Sequence, residues 1–132
     1  MRRLQYWNRI LRAYILSNTS HLTFWHETPK VNNNVIANEL GQYYMLFYEK
    51  ANYNGNYDRN GIPMLDYHGH IGLQYNPIAI AQWGLGNYNL WCDNKDQIRH
   101  DCFIKSADWL VENLDENMHG LKVWLHHFDF EY

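Results

Sequence analysis

The stretch Gly61–Trp91, GIPMLDYHGHIGLQYNPIAIAQWGLGNYNLW, decides how the rest of the chain is read. It opens on a turn-forming Gly61-Ile62-Pro63, passes through Tyr67-His68-Gly69-His70, is freed again at Gly72, and arrives at Tyr75-Asn76-Pro77. Asn76 carries the side-chain oxygen that an N-cap needs, and Pro77 suits the first helical position, where a missing amide costs nothing. A helix is therefore expected to start at Pro77. From there Ile78, Ala81, Gln82, Leu85 and Tyr88 or Asn89 recur at spacings of three and four, which places them on one stripe, the expected inward face. Gln82 is the polar member of that stripe. It reads either as a core amide bonded to neighbouring backbone or as the lining of a cavity that a polar ligand enters.

Downstream, Asp93 or Asn94 can cap a second helix running to about Leu114, with Ile98 or Phe103, Ala107, Leu110, Val111 and Leu114 on its apolar stripe and Trp109 facing a neighbour. Helices joined by so short a polar connection are antiparallel neighbours in the usual case. Gly120 ends the next turn, and Leu121–Leu125 reads as an extended segment or the start of a further helix. Apolar residues keep accumulating up to Glu131-Tyr132 with no breaker, so a partial chain is expected. Upstream, the aromatic run Gln42–Tyr48 favours a strand, Tyr53–Gly61 a polar turn, and Met64–Tyr67 a second strand pairing with the first. Within Arg3–Leu16, Leu4, Trp7, Ile10, Leu11, Tyr14 and Ile15 share one face of an amphipathic helix, and His21–Asn34 reads as connector. Residues 1–41 are thus an N-terminal helix and connector, and 42–132 carry the main body.

Length and 46% hydrophobic content suit one domain or a piece of one. A net charge of -3 argues against non-specific binding to nucleic acid, which requires concentrated basic charge. The apolar N-terminal run is broken by Asn8, Arg9 and Arg12, so neither a signal peptide nor a membrane span is expected, and a cytoplasmic location is the default. Cys92 and Cys102 make no disulfide framework. Six Trp, eleven Tyr and five Phe supply flat apolar faces with polar edges that suit sugar rings, although most such residues simply pack cores.

Local constellations add little chemistry. His68-x-His70 and His126-His127-x-Asp129-x-Glu131 supply donors but no spacing typical of a metal site, so no metal and no other cofactor is expected. No serine lies in a nucleophile elbow, and Gly84-x-Gly86 falls inside a helix where it cannot cradle a phosphate.

Tyr75-x-Pro77-Ile78-x-Ile80-Ala81-Gln82-x-Gly84-Leu85, with Gly61-Ile62-Pro63 before it and Trp124, His126, His127, Phe128, Asp129 and Glu131 after it, resembles the C-terminal domain of the D-glucuronyl C5-epimerases, the bacterial members most closely. The resemblance covers about Gln42 to Tyr132. It implies a mainly α fold, part of an (α/α) toroid with a short β-hairpin or strand pair on its N-terminal side. It further implies action on glucuronic acid residues of a heparosan-like polysaccharide, converting them to iduronate by removal and return of the C5 proton. The family's catalytic tyrosines and glutamate are expected beyond Tyr132, so the resemblance assigns no catalytic residue here, and Glu131-Tyr132 is not that pair. Matched to the motif, the substrate-binding candidates are Tyr75 and Gln82, with Tyr67 and His126 as neighbours. A competing reading is a non-catalytic carbohydrate-binding or structural fragment of such an enzyme. An incomplete ring would leave Ile78/Leu85 and Phe103/Leu110 uncovered, which makes a homodimer an expected partner alongside the polysaccharide.

Overall fold

A computed structural model of the protein describes residues 30–67 and 69–129 and, nearer the N-terminus, Leu4, Trp7, Asn8, Leu11 and Ile15. Most of the expected amphipathic helix, the connector up to Pro29, His68 and the last three residues lie outside this set. In chain order the elements are β1 (Lys30–Val31), β2 (Met45–Leu46), α1 (Tyr48–Ala51), β3 (Asn56–Tyr57), β4 (Pro63–Asp66), β5 (Leu73–Gln74), α2 (Pro77–Asn94), α3 (Gln97–Glu112), β6 (Asp115–Glu116) and β7 (Lys122–Val123).

The architecture is mixed α/β, which corrects the expectation of a mainly α partial toroid. Among the described residues, three small antiparallel sheets, β1-β2, β3-β4-β5 and β6-β7, accompany one long helical hairpin. The cause of the last two is local: Gly61, Gly72 and Gly120 have φ of 83°, 63° and 73°, a region that L side chains disfavour. At each the chain doubles back and pairs with what it has just laid down. The strand pairing also differs from expectation. Met45–Leu46 pairs with Lys30–Val31, across the 41/42 boundary, and β4 pairs with β3 and β5 instead of with the aromatic run. Of that run only Met45 and Leu46 are strand, and Tyr48 already begins α1.

The start of α2 matches the sequence reading: Pro77 is at the first position and Asn76 Oδ1 accepts from the Ala79 amide at 3.0 Å. Its end does not. The helix runs on through Asp93 and Asn94 to Lys95, whose φ of 59° closes it, and Asp96 caps α3 by accepting from the Ile98 amide. The two helices are antiparallel, with Asn87 beside Arg99, Tyr88 beside Phe103 and Trp91 beside His100.

Their buried faces are not the apolar stripes. Ile78 is 54% exposed, while Ile80, Trp83, Gly84, Gly86, Asn87 and Asn89 are buried. On α3, Ile98 and Val111 are 70% and 75% exposed, and the buried residue is Ser106. The reason is that α2 is gripped from two sides at small residues. A Cβ on Gly84 would lie 2.8 Å from Ser106 Cβ, and a Cβ on Gly86 would lie 3.0 Å from Ala51 Cβ and closer still to the Phe47 carbonyl oxygen. Neither glycine could be larger without moving a neighbour. Around this contact sits a core of Leu65, Ala79 and Trp83, with Tyr53, Tyr67 and Cys102 packed on it.

Asparagines fasten the other elements to α2. Asn89 Oδ1 accepts from the Tyr43 amide at 2.7 Å, and its Nδ2 donates to the carbonyls of Tyr43 and Met45. Asn87 Oδ1 accepts from Arg99, which also donates to the Ala51 carbonyl and to Asn52 Oδ1. Both asparagines are 0% exposed, and each supplies the hydrogen bonds that a buried polar group requires. Both cysteines are free thiols, Cys92 on α2 and Cys102 on α3. No helix among the described residues is long and apolar enough to cross a membrane.

Candidate functional site

Asn76 is the hub. Its Oδ1 is committed to the helix start, and its Nδ2 donates to Tyr67 Oη at 2.7 Å, so a single fully buried side chain both caps α2 and orients a phenol at the end of β4. The Tyr67 ring lies 4.6 Å from that of Phe128, which in turn meets His126 edge-on at 5.3 Å. This brings the segment after β7 back to the beginning of α2. Trp124, donating its indole N–H to the Leu110 carbonyl at 2.7 Å, anchors that segment to the end of α3.

Tyr75 precedes the cap and has different partners. Its Oη donates to Asp58 Oδ2 at 2.9 Å, and its ring stands 5.2 Å from Trp109. Asp58 is itself organised: Oδ1 accepts from the amides of Asn60 and Ile62, closing the loop that leads to β4. Burial pushes the Asp58 carboxyl upward, but the donors from Ile62, Tyr75, Asn60 and Gly61 outweigh it and hold the group below its ordinary range. Burial raises Tyr75, and the carboxylate that accepts its proton raises it further. Burial also raises Tyr67, partly offset by the Asn76 donor. Both phenols therefore remain protonated near neutral pH.

Gln82 lies elsewhere, about 9 Å further along α2 at a rise of about 1.5 Å per residue. Its Oε1 accepts from Lys50 Nζ at 2.5 Å. The structure thus brings Tyr67 and His126 together through Phe128, places Tyr75 just before Asn76 with Asp58 and Trp109 as its partners, and leaves Gln82 paired with Lys50. Three participants were not anticipated: Asp58, Phe128 as a linker, and Lys50. The polar run Tyr53–Gly61 signalled a turn but not which carboxylate would be used. Lys50 gave no signal, because one lysine beside an aromatic run is ordinarily solvated. Near the end, His127 is 3.9 Å from Asp115 with both exposed, and no group of three His, Cys, Asp or Glu among the described residues could hold a metal.

No family model, curated protein or solved structure matches this chain.

Proposed function

We propose that the chain contributes a substrate-binding wall to a uronyl C5-epimerase that acts on glucuronic acid residues of a heparosan-like polysaccharide. The observation that carries the proposal is the Tyr75–Leu85 motif, set beside an aromatic edge at the head of α2 where Tyr67, Phe128 and His126 meet. Such rings offer flat faces to pyranose C–H groups and polar edges to hydroxyls. C5 inversion needs an acid and a base on opposite faces of the sugar ring and a partner for its carboxylate. Tyr67 and Tyr75 are suited to holding the sugar and unsuited to abstracting its proton, because both phenols are raised and engaged in hydrogen bonds. This same observation favours the second reading, a carbohydrate-binding fragment without chemistry of its own.

Heparosan incubated with the chain in deuterium oxide tests the binding both share and whether this chain carries any of the chemistry. Binding with deuterium wash-in at C5 makes this chain itself an epimerase, and binding without wash-in makes it the binding wall alone. No binding of heparosan in either form overturns the proposal.

A further inference from the structure

Gln82 is held from one side. Lys50 Nζ donates to its Oε1, and no other hydrogen bond joins the Gln82 side chain to the described residues. A lysine ammonium has donors and no acceptor. The glutamine oxygen must therefore face Lys50 and its NH2 must face away, which removes the usual ambiguity over how a side-chain amide is turned. The arrangement is built into the fold. Lys50 is 6% exposed, with its Nζ 5.3 Å from the Phe47 ring centroid. It stands on α1, which Gly86 and the Arg99 network press against α2. Gln82 itself stays partly exposed and shares its stripe with the exposed Ile78 and the partly exposed Leu85.

We infer that Lys50 is a positioning residue that turns Gln82 into a fixed amide donor for a carboxylate, the acceptor a uronic acid presents. The inference rests on the carbohydrate reading above for the choice of ligand. A preoriented NH2 suits any acceptor, but the ammonium behind it adds a positive field that a carboxylate feels and a neutral hydroxyl does not. A glutamine used only to tie α1 to α2 would satisfy Lys50 equally well as a glutamate, and Gln82→Glu separates the two roles. Glutamate keeps the Lys50 contact but replaces the outward donors with a negatively charged oxygen.

The test is titration of the full chain with sodium glucuronate, using glucose as the neutral control, followed by NMR of the Gln82 side-chain amide. That resonance is assigned by its loss in Gln82→Glu. The amide shifts with glucuronate and not with glucose, and Gln82→Glu lowers glucuronate affinity by about tenfold or more, the factor for one charge-assisted hydrogen bond. The thermal midpoint of Gln82→Glu stays at or above that of the parent. Lys50→Met lowers affinity by a similar factor, and Lys50→Arg restores most of it. Unchanged affinity in Gln82→Glu, or an amide that ignores glucuronate, overturns the inference. If the amide answers glucuronate while heparosan does not bind, the proposed function falls and this inference stands. If heparosan binds while the amide stays silent, the reverse holds.

Discussion

The two halves of α2 are secured by opposite means. At its start, Asn76-Pro77 sets the helix by local chemistry, and the spare end of the same asparagine reaches Tyr67. In its second half, Gly84 and Gly86 admit neighbours by having no side chain, and Asn87 and Asn89 then fasten what has come close. The first half is also covered by the apolar core of Leu65, Ala79 and Trp83. The second tolerates almost nothing, since close packing leaves no room for relaxation.

The contrast predicts a graded set of effects. Gly86→Ala places a methyl against the Phe47 carbonyl and Ala51, and lowers the stability of the fold by about 3 kcal/mol, at the upper end for overpacking. Urea denaturation reads this directly, and an effect below about 1 kcal/mol would show that α1 can yield. Asn89→Ala leaves the Tyr43 amide without its side-chain acceptor, takes a donor from the Met45 carbonyl and leaves the Tyr43 carbonyl to Asn32, costing about 2 kcal/mol and loosening β2. Amide hydrogen exchange should speed at Tyr43 while the first turn of α2 stays protected.

Asn76→Ala removes a cap and the Tyr67 contact together, with an expected loss of about 1 to 2 kcal/mol. Asn76→Asp keeps the cap but cannot donate to Tyr67, so its helix should remain while heparosan binding weakens. Parent-like binding by Asn76→Asp would divorce Tyr67 from the ligand. The smallest effect belongs to Tyr75→Phe, about 0.5 to 1 kcal/mol at neutral pH for one partly exposed hydrogen bond. Its signature is in the pH dependence. The folded Asp58 carboxyl lies below its unfolded value, so it contributes stability above the ordinary carboxylate range, and this is lost as pH falls through the lowered folded value. Without the Tyr75 donor the depression shrinks, and the parent and variant stability curves should converge in acid. Curves that stay parallel down to the acid transition would show that Tyr75 does not govern Asp58.

Much of the helical hairpin was legible in the residues, and most of its packing was not. The periodic stripe Ile78, Ala81, Gln82 and Leu85 is real as a pattern, yet Ile78 faces outward because α2 has two contact flanks instead of one. A stripe analysis assumes one buried face and reads glycine and asparagine as poor core residues. Here they make the tightest contacts beside the apolar core of Leu65, Ala79 and Trp83. The cap of α3 slipped from Asp93 or Asn94 to Asp96 because Lys95 accepts a left-handed backbone that the sequence does not advertise. Of the site, Tyr75 and Gln82 were named from the motif and Tyr67 and His126 as their neighbours, but the Asn76–Tyr67 bond, the meeting of Tyr67 and His126 at Phe128 and the separate Lys50–Gln82 pair depended on contacts between distant segments.

What the sequence determined alone is the helix start at Pro77, the reversals at Gly61, Gly72 and Gly120, and the motif on which the functional reading stands, because each depends on a few adjacent residues and their backbone preferences. Only the tertiary structure decided which face of α2 is inside, which asparagines are buried, and where Gln82 directs its amide. Those outcomes depend on close approach between residues tens of positions apart, and the permission for such approach, an absent Cβ, leaves no hydrophobic mark on the chain.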